Sequence, residues 1–362
     1  MNSPIAQRLR FVLLPIVALA LAACAGSATS TTITETVEGS DTGAATTEST
    51  TTESESSLAP AGARSFYTFD PMQSALVRVD PDNGEVAPII DVEGSVYAMD
   101  QGEGALWLGT DSGTILRVDP AAGSTIAEIA PTSTDGLFDL SVGGGAAWAL
   151  HGIAGAPGTS LVRIDAAANT AAEPVVADAN VSFYDVEAGA DGVWLVGSSP
   201  TMATTLYAVD PATGEPTDQE IQMVVKAIDS GDGAVWLAGT IFPDGAVGVP
   251  GVAKFDPATK KLTTTEIPAE ASSIAVGSGG VWAGAGSGEE GATLYRIDPA
   301  TGEVAATIPL GEMAGSVKVS TGAGAVWVTT DGGDSYAVDP ATDSVAGQAD
   351  SMGTLGLFFP ES

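Results

Sequence analysis

The chain has 362 residues, with 46 acidic side chains against 12 lysines and arginines, a formal charge of −34. A surface this acidic excludes nucleic-acid binding through phosphate neutralisation and repels bare anionic lipid. The single cysteine, Cys24, excludes an internal disulfide, and the single histidine, His151, excludes a zinc site built on several histidines.

Arg8 and Arg10 give the start of the chain positive charge. Phe11 to Leu21 is apolar but shorter than the roughly 20 residues of a membrane span. It ends in Leu21-Ala22-Ala23-Cys24, and the whole segment resembles a bacterial lipobox. The resemblance implies that 1–23 is a lipoprotein signal peptide, removed before a Cys24 that carries diacylglycerol. An ordinary secretory signal or an uncleaved anchor are the alternatives. Acyl chains contribute about 0.8 kcal/mol per buried CH₂, so the expected location is a cell membrane, lipid-anchored and facing away from the cytoplasm, at the cell surface or in a periplasm.

Residues 24–62 read as a tether. Of the 36 residues from Ala25 to Pro60, 18 are Ser or Thr and six are Asp or Glu, with Ile33, Val37 and Leu58 the only larger apolar side chains. Such a segment buries too little surface to offset its ordering entropy and is expected to be disordered.

From 63 to 362 the chain repeats. Trp107, Trp148, Trp194, Trp236, Trp282 and Trp327 recur at steps of 41, 46, 42, 46 and 45 residues, each after a Gly-rich lead such as GDGAVW or GSGGVW. In the specimen 95–131, SVYAM, ALWLGT, TILRVD and STIAEIA read as four strands separated by turns DQGEG, DSG and PAAG. The third turn recurs as DPDNGE, DPAAGS, DAAANT, DPATGE, DPATKK, DPATGE and DPATDS. Its Asp accepts backbone N–H groups across the turn, so these carboxylates are turn builders. Seven such turns against six tryptophans place Tyr67, in SFYTFDPMQSALVRVDP, at the seventh Trp position. That first unit lacks its own first strand, which GTLGLFF (353–359) can supply. The expectation is an all-β seven-bladed β-propeller of four-stranded antiparallel blades, closed by N- and C-terminal strands sharing one blade. Tyr67 and the six tryptophans are expected between blades as structural core.

The phrase Leu294-Tyr295-Arg296-Ile297-Asp298-Pro299-Ala300-Thr301-Gly302-Glu303-Val304, followed by Ala306-Thr307-Ile308-Pro309, resembles the YVTN and virginiamycin-B-lyase-like propeller repeats of bacteria. The resemblance spans 63–362 and implies architecture more than activity. Virginiamycin-type lyases hold magnesium with His and Glu side chains, a set with no match here.

From each Trp to the next turn Asp the separations are 12, 17, 16, 20, 16 and 12, so length varies between the second and third strands. Those loops share one face with the blade-to-blade connections, and elaborated loops on a rigid scaffold are where binding resides. They are His151–Ser160, Gly197–Thr205, Thr240–Gly251 and Gly284–Thr293, with Phe183, Tyr184, Met223 and Met313 near the central channel. Candidate binding residues are His151, Met202, Ile241, Phe242, Asp244, Glu289, Glu290, Asp331 and Asp334. The longest loop either contacts a partner or folds back over its own blade. No motif calls for a cofactor, and the loop carboxylates, with Asp111, are a place for Ca²⁺ or Mg²⁺. No nucleophile phrase accompanies His151, so no catalytic residue is assigned. The leading reading is a surface-anchored, non-enzymatic binding module for a protein or cell-envelope partner. A metal-dependent propeller enzyme of lyase or lactone-hydrolase type, and a structural envelope component, are the alternatives.

Overall fold

The computed structural model describes residues 66–80, 85–130, 136–154, 156–176, 181–198, 204–219, 221–243, 247–287, 291–311, 317–322, 324–330 and 334–350. All lie in the compact unit Ser54–Ser362. The expected signal peptide, Cys24, tether and closing strand 353–359 fall outside the described residues. So do Met202, Asp244, Glu289, Glu290, Met313 and Asp331.

Seven antiparallel sheets follow one another along the chain, each built as a meander, with no α-helix among the described residues. The sheet containing Trp107 is typical: Val96–Gly102, Ala105–Thr110, Ile115–Asp119 and Ser124–Ile129, paired in that order. The first strands of successive sheets pack on one another and form the inner wall of a ring. The sheets are therefore the blades of a seven-bladed β-propeller. In blade 3 the outer strand comes in two pieces, Thr170–Ala171 and Val175–Val176, both paired with Ser160–Asp165. Blade 1 shows three strands, Phe66–Asp70, Ala75–Val79 and Val86–Asp91, which are the second, third and fourth of the unit.

Each interface has its own apolar cluster, and each cluster holds the Trp, or in blade 1 Tyr67, of the preceding blade's second strand. Tyr67 lies between blades 1 and 2, Trp107 between 2 and 3, and Trp148 between 3 and 4. Trp194, Trp236 and Trp282 follow at the next three. Trp327 joins Phe66, Ala75, Val77 and Val79, which seats blade 7 on blade 1 and closes the ring. The third-strand residue paired with the indole carries a cation in four blades: Arg117 over Trp107, Arg163 over Trp148, Lys254 over Trp236 and Arg296 over Trp282. Three of these cations reach on to the next blade's turn. Arg117 donates to the Ala166 carbonyl and to Asn169 Oδ1, Arg296 to the Pro340 carbonyl (3.2 Å) and Asp343 Oδ1 (2.9 Å), and Lys254 to the Pro299 carbonyl (2.6 Å). Where the paired residue is Ala208 or Ala337, a ring of the next blade takes the place instead. Phe255 meets Trp194 edge-on at 5.6 Å, and Phe66 meets Trp327 at 4.6 Å.

One expectation needs correcting. DQGEG (100–104) reads as a turn, yet the inner strand runs on through Asp100, Gln101 and Gly102, and only Glu103-Gly104 turn, with φ of 54° and 68°. Two residues with positive φ make the tight hairpin whose twist matches its strands. Gly144-Gly145, Asp232-Gly233 and Ser278-Gly279 do the same. The inner strands are therefore longer than their composition suggests. The DPATG turns behave as their chemistry demands: Asp298 Oδ1 accepts the N–H groups of Ala300 and Thr301, and Asp119, Asp165, Asp210 and Asp256 repeat the pattern.

Candidate binding face and central channel

The up-and-down course of each blade sends the DPATG turns to one face. The loops between second and third strands, and the links between blades, go to the other. The most exposed large apolar side chains among the described residues gather at this second face: Met72 (93%), Val247 (82%), Ile153 (75%) and Tyr97 (57%). Met72 sits in the short turn of blade 1, Ile153 and Val247 in the loops of blades 3 and 5, and Tyr97 at the start of an inner strand.

The loops are shorter than the sequence implies, because the strands extend into them. His151 ends the strand Ala146–His151, pairs with Leu137 and Ser160, and is fully buried. Its imidazole belongs to the blade interior, not to the binding face. Ile241 ends the strand Ala234–Ile241 and is buried over Gly251, while Phe242 is half-buried against Gly248. This part of the loop folds back on its own blade, leaving Val247 outward. Asp334 begins the strand Asp334–Asp339, its backbone opposite Asp350. Asp111 is exposed and packs beside Gly94. Phe183 and Met223 are buried at the inner strands, and Tyr184 donates from its hydroxyl to the Val225 carbonyl of the next blade (3.2 Å).

Five inner strands are bulged near this face, at Tyr97, Phe138, Tyr184, Lys226 and Ser272. A bulge turns the side chain out of the strand's alternation. Below the bulges lies a feature the sequence reading missed: Asp100, Asp139, Asp185, Glu187 and Asp229, all on inner strands of blades 2 to 5. Each keeps some accessible surface, yet is enclosed by protein. The signal was present at fixed offsets. Seven residues before successive tryptophans stand Asp100, Ser141, Glu187, Asp229, Ala275 and Ser320; nine before stand Ala98, Asp139, Asp185, Ala227, Ser273 and Lys318. Reading 100–104 as a turn broke that alignment.

These carboxyls tie blades together. Asp100 accepts the N–H of Gln101 (2.7 Å) on one oxygen and of Val142 (2.6 Å), in the next blade, on the other. Asp139 does this with Leu140 (3.0 Å) and Val186 (2.7 Å), and Asp229 with Ser230 (2.7 Å) and Val276 (2.6 Å). Glu187 accepts from Ser230 Oγ at 2.8 Å. The strands approach so closely that a Cβ at Gly143 would collide with the Ala188 carbonyl, and one at Gly189 with Ser230 Oγ.

Enclosure shifts every one of these acids upward. Burial raises Asp100 to about 7 against the pull of the N–H donors, and raises Asp139 and Asp229 to about 6. Asp185 is pushed well above the carboxylate range by burial and then by the charge of Asp139, to which it is hydrogen-bonded. Glu187 is pushed up in the same way by burial and then by Asp229. Asp139 with Asp185, and Glu187 with Asp229, form two carboxyl pairs in which the charge of one member opposes ionisation of the other. Lys318, on the inner strand of blade 7, lowers Asp139 by its charge. No group of three or more His, Cys, Asp or Glu suited to a metal ion occurs among the described residues.

No protein-family model matches the chain, and no curated protein matches it. Many solved structures do share its fold. Hydrazine synthase of Kuenenia stuttgartiensis superposes with a TM-score of 0.56 at 13% identity, covering 85% of this chain and 99% of that one. The dihydro-heme d1 dehydrogenase NirN gives 0.54 at 14%, covering 81% and 65%. AztD of Citrobacter koseri gives 0.52 at 11%, covering 83% and 86%. At such identities the likeness is one of fold alone.

Proposed function

We propose that this chain is a surface-anchored lipoprotein, with a propeller related to the YVTN and virginiamycin-B-lyase-like repeats, that works as a non-enzymatic binding module. It would hold a protein or cell-envelope partner on the face bearing the unequal loops. The observation that carries this reading is the asymmetry of the two faces. One bears near-identical DPATG turns, and the other bears Met72, Tyr97, Ile153 and Val247 standing free of the core. Exposed apolar groups on a polar rim are the usual anchors of an interface. The channel acids favour a structural role over metal-assisted catalysis, because Asp100, Asp139 and Asp229 each have both oxygens engaged by backbone N–H groups.

The test is cross-linking and recovery from intact cells. Ile153→Asp with Val247→Asp should remove the captured partner while leaving thermal stability unchanged, since both side chains are exposed. Ala121→Glu with Ala341→Glu, on the turn face, should leave capture intact. Loss with the second pair and not the first would overturn the reading. Anchoring is tested separately: Cys24→Ser should abolish incorporation of labelled palmitate and move the protein from membrane to soluble fraction. Retention of label would exclude Cys24 as the acceptor.

A further inference from the structure

On the turn face, blade 5 differs from blades 2 and 6 in two linked positions. In blades 2 and 6 an arginine lies over the indole and donates to a side chain at the fifth residue of the next turn: Arg117 to Asn169 and Arg296 to Asp343. Both acceptors sit at positive φ, 55° and 51°. In blade 5 the arginine is replaced by Lys254 and the acceptor by Gly302, which keeps the same backbone (φ 76°) without the side chain. Lys254 lies over the Trp236 ring and donates to the Pro299 carbonyl. Beside Lys254 and Gly302 opens a crevice of about 340 Å³, floored by Trp236 and walled also by Lys261, Thr263 and Thr265.

The charge in this crevice runs against the rest of the molecule. Lys261 makes no ion pair among the described residues, and Lys254 keeps N–H donors beyond the one given to Pro299. Asp256 is also in the wall, with one oxygen committed to the N–H groups of Ala258 (2.9 Å) and Thr259 (3.1 Å). Two ammonium groups against one carboxylate leave a single positive charge, which matches a monoanion better than a phosphate dianion. The Thr263 hydroxyl lies on the same wall, while Thr265 Oγ1 donates to the Gly302 carbonyl at 2.5 Å and holds the turn in place. The volume is at the low end for small-molecule sites, about 300–1,000 Å³.

We propose that the crevice between blades 5 and 6 binds a hydroxylated monocarboxylate of about monosaccharide size, its carboxylate between Lys254 and Lys261 and its hydroxyls toward Thr263. This site is separate from the loop face and does not depend on the function assigned to it. Titration calorimetry of the full chain with glucuronate, and with glucose as the uncharged analogue, tests it at about 0.15 M salt. Glucuronate should bind one to one with a Kd of roughly millimolar order, and glucose at least about tenfold more weakly. Lys261→Ala should weaken glucuronate about tenfold. Lys254→Arg with Gly302→Asn rebuilds the pair found in blade 2, which engages the cation and puts a side chain into the crevice wall at Gly302. That variant should lose binding while melting no lower than the parent, which separates occlusion from misfolding. Equal affinity for glucuronate and glucose, unchanged binding in the double variant, or no heat up to about 10 mM would each overturn the proposal.

Discussion

Trp282→Ala lowers the free energy of unfolding by about 3–5 kcal/mol, the largest effect expected from any single substitution in this chain. The indole is fully buried between blades 6 and 7 among Leu294, Leu310, Val317, Val326 and Val338. Three interactions fail together when it is removed. The apolar contacts of the cluster go, the Nε1 donor to the Gly277 carbonyl (3.0 Å) goes, and Arg296 loses the ring 5.4 Å beneath it. Arg296 also spans to Pro340 and Asp343, so loosening it weakens the tie to blade 7. Trp236→Ala costs somewhat less, because Trp236 Nε1 has no acceptor and a crevice already opens beside the ring. Denaturant unfolding of both variants measures the order. Parent-like stability in Trp282→Ala would show that the indole is not what joins the blades.

Stability falls as pH rises from about 4 to above 7. The sign follows from the channel. Asp100, Asp139, Asp185, Glu187 and Asp229 all have folded pKa values above their unfolded ones, with Asp100 at about 7 and Asp139 and Asp229 at about 6. Between the unfolded and folded values the native state binds more protons than the unfolded chain, so each upward step in pH favours unfolding. Asp165 and Asp256 work the other way. Their turn N–H groups lower them, so their contribution is present above the ordinary carboxylate value and is lost only as pH falls through the lower folded value. Maximal stability therefore lies near pH 4, at the ordinary carboxylate value where both sets contribute. Asp185→Asn supplies a neutral donor to Asp139 without the need to capture a proton. It should raise stability at pH 8 by about 1–3 kcal/mol and flatten the profile. Melting curves from pH 4 to 9 read both effects. A profile rising from pH 5 to 8 in the parent would mean the channel acids ionise without penalty.

The architecture was legible because it is periodic. A Trp at steps of 41 to 46 residues and seven DPATG-type turns leave few folds open, and the clusters at the seven interfaces follow from that beat. What single positions do was less legible. Asp100 beside Gln101 and Gly102 has the composition of a turn, and only pairing with Trp107 reveals it as strand. His151 opens a Gly-rich loop in the sequence, yet ladder pairing on both sides draws it into the blade. Local propensity yields to tertiary pairing in both cases. The Arg, Lys or Ala opposite each tryptophan was visible in LRVDP, AKFDP and YAVDP, but its partner lies in the following repeat, a distance that reading one unit at a time does not cross.

The alanines at two of those positions bear on how the ring is completed. Blade 7 is the last to leave the ribosome, so its contact with blade 1 is the last interface available. The described residues of that contact form an apolar cluster: Phe66, Ala75, Val77, Val79, Ala325, Trp327 and Ala337, with Phe66 against the indole at 4.6 Å. Stripping water from a cation is costly and depends on exact placement of its partners, whereas apolar surfaces join with less demand on geometry. With Ala337 opposite the indole, the cluster at the final joint asks only that apolar surfaces meet for the circle to shut.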